Sequence, residues 1–271
     1  MATPDLTAIL ADLAAEHADL DGIVASLDAA AWDTPTPAEG WSVRDQVGHL
    51  AFFDRAAVEA MTDPDAFTAG LAGIAADPQG WMDRTVAEGR ALAAPDLLAS
   101  WRAGRTALID AAAGRDPKAR IPWYGPPMSL LSFLSARLME TWIHGQDVAD
   151  GLGVERTPTA RLRHVAHIAV RARAFNYASH GLALPEAEPR VELVAPDGSA
   201  WTWGPEGAAD RISGEALDFC LVTTQRRHIA DTDLRVEGEH AAEWMGIAQA
   251  YAGPPGSGRR PGQFRRRAAT R

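Results

Sequence analysis

The chain is poor in the groups that crosslink, anchor or export a protein. Among 271 residues there is a single cysteine, Cys220, so an intrachain disulfide is excluded and a reducing, cytoplasmic compartment is expected. No run of eighteen or more apolar residues occurs, which argues against a membrane-spanning helix. The opening MATPDLTAIL lacks a basic stretch followed by an apolar one, so no secretory signal is expected. No heptad seam is present either, leaving monomer and homodimer both open. Positive charge is scarce outside the end of the chain. Six of the 26 basic residues are arginines after Gly253, in a stretch without acids, so the rest carries 20 bases against 36 acids, or −16. An acidic body argues against nucleic-acid binding.

What is present reads as helices first and strands later. Leu6, Ile9, Leu10, Leu13, Leu20, Ile23, Val24 and Leu27 recur at helical spacing and predict an amphipathic helix over 5–27. His17 lies in it without a partner at ligand spacing, and an edge or solvated position is expected. Prolines at 35 and 37 mark a loop. A second helix over 41–61 opens with Ser42 and Asp45 as a capping-box start. His49 falls at the edge of its apolar arc, beside Phe53. Asp54 projects from the arc's middle, where it either finds an arginine or an imidazole, or reaches solvent if the helix is rotated. Residues 66–92 are less regular, with a break near Pro78-Gln79-Gly80, and 94–113 predict a further helix whose Trp101, Arg102 and Arg105 are expected at the surface. The constrained stretch IPWYGPPMS (121–129) brings Trp123, Tyr124 and Met128 towards a pocket mouth or ordinary packing.

The most informative stretch is LLSFLSARLMETWIHGQDVAD (130–150). On a helix, Phe133, Arg137, Glu140, His144 and Asp147 share one face, and Glu140 and His144 can reach one common point. Leu138, Met139, Trp142 and Ile143 surround them, so the helix is apolar nearly all round. A bare carboxylate and imidazole there are costly unless paired or ligated. With His49 from the second helix, they make two imidazoles and one carboxylate, a set that suits Zn²⁺, with Ni²⁺, Fe²⁺ or Mn²⁺ also compatible. Asp147, one turn on, is a candidate to orient a ligating imidazole through its second nitrogen. A helix is predicted over 159–180, and its His164 and His167 form a much weaker ligand pair. Beyond Pro185 the pattern becomes a hairpin (190–195 and 199–203), a strand at 211–213, a helix at 215–226, a strand at 233–236 and a last helix at 240–251. The expected organisation is a helical domain over 1–185, a small α+β domain over 186–252, and a disordered basic tail over 253–271.

GWSVRDQVGHLAFFD (40–54) together with ARLMETWIHGQDVAD (136–150) resembles the N-terminal metal-binding domain of the mycothiol-dependent maleylpyruvate isomerase family, part of the DinB-like superfamily. The resemblance implies a DinB-like four-helix bundle followed by a small α+β domain. It implies metal ligands at His49, Glu140 and His144, with Asp147 as the accompanying acid. Relatives use an arginine of the second domain in catalysis; TTQRRH offers Arg226 and Arg227, of which Arg227 is carried forward as the candidate. The implied chemistry is metal-dependent activation of a low-molecular-weight thiol, mycothiol, for transfer to or isomerisation of a small electrophile. A composition rich in alanine, arginine and glycine and poor in lysine is similar to that of high-GC actinobacteria, where this thiol occurs. Two other readings use the same ligands. One is a non-catalytic metal-containing binding module. The other is a metal-dependent hydrolase with Asp54 or Asp147 as general base.

Overall fold

A computed structural model describes residues 5–264. The chain divides into two compact units, residues 1–156 and 157–271.

The first unit is helical. Helices α1 (Leu6–Val24), α2 (Val43–Thr62), α5 (Ala94–Ala112) and α6 (Leu130–Leu152) form the bundle, and α3 (Pro64–Ala76) and α4 (Pro78–Ala91) lie between α2 and α5 in the chain. Each helix begins where its local chemistry permits. Asp5 accepts from the Ala8 N–H at 2.7 Å to start α1. At α2 the box is reciprocal: Ser42 Oγ accepts from Asp45 N–H, and Asp45 Oδ2 accepts from Ser42 N–H at 2.9 Å. The break anticipated near Pro78 is the junction of α3 and α4, where Asp77 accepts from the Gly80 N–H at 2.9 Å. Helix α6 ends at Gly153, whose φ of 68° supplies the left-handed cap.

The bundle buries one continuous apolar face per helix. Leu20, Val24, Val43, Val47, Leu50, Leu97, Trp101 and Val148 form a core shared by all four helices. Trp101 is fully buried, against the surface position expected for it. Arg102 and Arg105 both pair with Asp21 on α1, and the hydrogen bonds from Arg102 hold the Asp21 carboxyl below its usual range. Helices α2 and α4 cross closely at Gly48 and Gly89. A Cβ on Gly89 would lie 2.8 Å from the Gly48 Cα, so position 89 has no room for a side chain, and His49 sits next to that crossing. Two short strands, β1 (Arg120–Ile121) and β2 (Met128–Ser129), pair antiparallel and close the IPWYGPPMS loop just ahead of α6.

The second unit is α+β. Its four-stranded sheet has the order β4-β3-β5-β6, from β3 (Arg190–Val194), β4 (Ala200–Trp203), β5 (Arg211–Glu215) and β6 (Arg235–Glu237). The β3–β4 hairpin turns at Gly198, with φ 81°. β5 then pairs parallel to β3, and β6 antiparallel to β5. Helices α7 (Leu162–Arg171), α8 (Arg173–Ser179), α9 (Ala216–Thr223) and α10 (Glu239–Ile247) complete the unit.

Two expectations change. The helix read as continuous over 159–180 is two, parting at Ala172, whose N–H donates to the Ile168 carbonyl at 2.8 Å. These helices group with the second compact unit, residues 157–271. Finally, the expected disordered tail is placed by hydrogen bonds up to residue 264. The Gly256 N–H donates to Gln249 at 3.0 Å, and the Gly262 N–H to the Asp231 carboxylate at 2.7 Å. Residues 265–271 of that tail lie outside the described residues.

Candidate metal centre

Helix α2 brings His49, and α6 brings Glu140 and His144, to one place. One ligand atom from each lies within 4.8 Å of those of the other two. His144 Nε2 is 3.3 Å from Glu140 Oε2, and the two imidazole rings have centroids 4.5 Å apart. Both histidines are nearly buried, whereas the Glu140 side chain keeps 24 % exposure. Ligand atoms about 2.0–2.1 Å from a tetrahedral Zn²⁺ are roughly 3.3 Å from each other. The Nε2–Oε2 separation is close to that spacing, and the three-residue cluster is compatible with a divalent ion.

A chain of hydrogen bonds leads from Thr36 through Gln46 to His144. The Thr36 hydroxyl donates to the Trp41 carbonyl at 2.9 Å, so its oxygen accepts from Gln46 Nε2, also at 2.9 Å. That orients the Gln46 amide with Oε1 towards His144 Nδ1, 2.5 Å away. A carbonyl-type oxygen only accepts, so in this arrangement Nδ1 is the donor to Gln46, and Nε2 is the ring nitrogen turned towards Glu140. Gln46 faces the His144 nitrogen opposite the ligand site, and Asp147, expected to orient a ligating imidazole, is fully buried farther along α6. Gln46 carried a signal that was missed: it stands three residues before His49, on the same helical face.

Aromatic rings wall the site. Trp41 stacks on His144 with centroids 5.9 Å apart and 16° between planes, and lies 5.1 Å from His49. On the other side Phe53 is 4.5 Å from His49. Phe53 leads into a cluster of Trp81, Trp123 and Tyr124, so the IPWYGPPMS loop does pack towards the site. Burial, and then the nearby Glu59, push the Tyr124 phenol up to about 12, so it stays a hydrogen-bond donor at neutral pH.

The other candidates have different surroundings. Asp54 is fully buried, and its partner is an arginine: Arg137 Nη2 donates to Oδ1 at 2.8 Å. His17, expected at an edge, is 1 % exposed, with Nε2 3.9 Å from Asp54 Oδ2. Sequence alone does not set helix rotation, and α1 turns this face inward. His164 and His167 form no ligand cluster among the described residues. His167 Nδ1 instead accepts from the Trp203 indole N–H at 3.2 Å. In the second unit, Arg226 and Arg227 follow Gln225, a non-glycine residue at φ 59°. The Arg226 guanidinium lies 5.7 Å from the Tyr251 ring and that of Arg227 5.1 Å from the Phe264 ring. Arg227 also donates to the Arg226 carbonyl at 2.7 Å. Cys220 is fully buried, which pushes its thiol pKa up and leaves it unreactive.

Residues 13–149, which include all three clustered residues, match the family described as the mycothiol maleylpyruvate isomerase N-terminal domain. The chain belongs to that family. Residues 185–236 match a second family, described as wyosine base formation. An uncharacterized protein of Mycobacterium tuberculosis, present in strains H37Rv and CDC 1551, is 47% identical over 251 residues, covering 92% of this chain and 97% of the relative. Crystal structures of the mycothiol-dependent maleylpyruvate isomerase and of a histidine-to-alanine mutant share the fold. Each has a TM-score of 0.58 at 17% identity, covering 84% of this chain and 93% of the other. A helical bundle with a small α+β unit is thus the architecture of this family member.

Proposed function

We propose that the chain holds one divalent metal ion on His49, Glu140 and His144, most naturally Zn²⁺ with Ni²⁺, Fe²⁺ or Mn²⁺ as alternatives. At that ion it would bind mycothiol for isomerisation of, or transfer to, a small electrophile. The observation that carries this reading is the convergence of the three ligand atoms in a chain of the mycothiol maleylpyruvate isomerase family. When bound, such an ion lowers the pKa of a coordinated thiol and keeps it as the nucleophilic thiolate.

The chain's own residues supply the rest. Gln46 Oε1, 2.5 Å from His144 Nδ1, would orient that imidazole so that Nε2 could hold the ion. Three protein ligands leave at least one position for the thiol. Trp41 and Phe53 exclude water from the imidazole faces and so strengthen the electrostatics of the site. Asp147 remains the proposed accompanying acid and Arg227 the proposed catalytic arginine, with Arg226 the alternative. The hydrolase reading loses one candidate base, because the Asp54 carboxylate is engaged by Arg137.

The test uses Co²⁺ as a spectroscopic stand-in for the metal. Adding mycothiol to the Co²⁺-loaded protein should produce a thiolate-to-cobalt charge-transfer band, and His49→Ala should remove both cobalt binding and the band. Cobalt binding without any response to mycothiol would favour the binding module. Turnover of an ester or amide probe without thiol would favour the hydrolase.

A further inference from the structure

A polar layer crosses the core of the bundle, and each of its four helices contributes to it. His17 comes from α1, Asp54 from α2, Trp101 and Arg105 from α5, and Arg137 from α6. Asp54 and Arg137 are 0 % and 3 % exposed and joined by one hydrogen bond of 2.8 Å. The Arg105 guanidinium covers the Trp101 ring at 4.5 Å, and its Nη1 donates to the His17 carbonyl at 2.8 Å. Much of the layer's remaining polar capacity is unmatched among the described residues. Asp54 Oδ2, both His17 ring nitrogens, Arg137 Nε and Trp101 Nε1 are buried without a hydrogen-bond partner.

Such a layer is a poor source of stability. Desolvating two charges rivals or exceeds their attraction, and a well-packed apolar pair of similar volume is often neutral or stabilising in its place. What a buried ion pair does supply is a fixed relative placement of the elements that carry it, and here those elements are the two that bear the metal-site residues. Arg137, Glu140 and His144 lie on one face of α6, at spacings of three and four residues. The Arg137 guanidinium also lies 5.9 Å from the Phe53 ring, and Phe53 backs His49 at 4.5 Å. Asp54, next to Phe53 on α2, holds that guanidinium in place. One side chain therefore touches both halves of the candidate site, through its own helix to Glu140 and His144 and through Phe53 to His49.

We propose that Asp54 and Arg137 are positioning residues, a buried clamp that sets the distance between His49 on α2 and Glu140 and His144 on α6. The proposal rests on the metal reading for its consequence, but the clamp itself is measurable without metal. The experiment compares the full chain with Asp54→Leu/Arg137→Met, an apolar pair of similar size, and with Asp54→Asn, which keeps an oxygen facing Arg137. Three quantities are read: Co²⁺ affinity, melting temperature, and the His49–His144 ring separation in metal-free crystals. In the double variant, Co²⁺ affinity should fall about 10–100-fold, with a melting temperature equal to or above wild type. Its rings should move apart by about 1 Å, beyond the tolerance of a preorganised site. Asp54→Asn should retain affinity within about threefold, a small fraction of the loss expected when such a partner is removed.

Unchanged affinity and ring separation in the double variant would overturn the clamp. So would parallel losses of affinity and melting temperature, which mark a merely structural pair. If the double variant folds poorly, Arg137→Lys gives the same reading, since it keeps a cation beside Asp54 but loses the planar guanidinium that reaches Phe53. If wild type binds no Co²⁺, the metal reading falls and the ring separation alone decides. Separated rings in the variant uphold the clamp, and unchanged rings overturn it.

Discussion

Gln46 shows how much of the site rests on single polar atoms. Its amide bridges two groups, with Nε2 donating to Thr36 Oγ1 at 2.9 Å and Oε1 2.5 Å from His144 Nδ1. Gln46→Leu removes the acceptor of the His144 Nδ1 proton while nearly conserving volume. Metal affinity should fall about 10–100-fold, as for other groups that orient a ligating histidine. Competition against a chelator measures this, and the melting temperature should change little. His17 governs a different property. Burial lowers its pKa from 6.5 to about 4, the nearby Asp54 charge only partly opposing the shift. The unfolded chain therefore takes up this proton at higher pH than the folded one. Stability from neutral His17 is complete above pH 6.5 and drains away as pH falls towards 4, by a total of about 3 kcal/mol. Urea midpoints measured across that range should fall for wild type and fall less steeply for His17→Phe. Equal slopes would show that His17 does not titrate as its burial dictates. At this scale the pairing of Glu140 with His144 was legible because i,i+4 spacing on a helix is a local property, whereas His49, on another helix, was joined to them through the family resemblance. Sequence reasoning misplaced His17 and passed over Gln46, because inward rotation of a helix and the aim of an amide depend on chain neighbours far away.

Most helices and strands lie close to where periodicity and caps put them. The Ser42–Asp45 box, the Pro78 break and the turn at Gly198 each depend on residues within five positions. The exceptions have non-local causes. Nothing in composition marks Ala172 as the place where α7 gives way to α8. Residues 253–264, rich in proline and glycine, offer no apolar periodicity, yet backbone N–H groups of Gly256 and Gly262 find acceptors in Gln249 and Asp231. Phe264 additionally meets the Arg227 guanidinium. Ending the chain after Gly253 removes these contacts from the turn that carries Arg226 and Arg227. The truncated protein should lose about 1–3 kcal/mol, read as a lower melting temperature. An unchanged melting temperature would mean that the segment contributes nothing to the fold.

For the whole molecule, the sequence supports an acidic protein without a helix, among the described residues, long and apolar enough to cross a membrane. Its two units differ in kind: helices alone carry the clustered ligands, while the mixed sheet belongs to the unit with the candidate arginines. Order of elements was legible because each follows from local pattern. The grouping of α7 and α8 was not, since they look like bundle helices by sequence and are assigned by what they pack against, α7 against α9 in the second unit. The chemistry proposed for the molecule passes through one cation at the meeting of α2 and α6. Elemental analysis of the purified chain, alongside His49→Ala, Glu140→Ala and His144→Ala, addresses that directly. The account predicts one equivalent of a divalent metal in the wild-type chain and far less than one in each variant, with helicity retained. Full metal content in all three variants, or a wild-type chain that neither contains nor takes up a divalent ion, would contradict it.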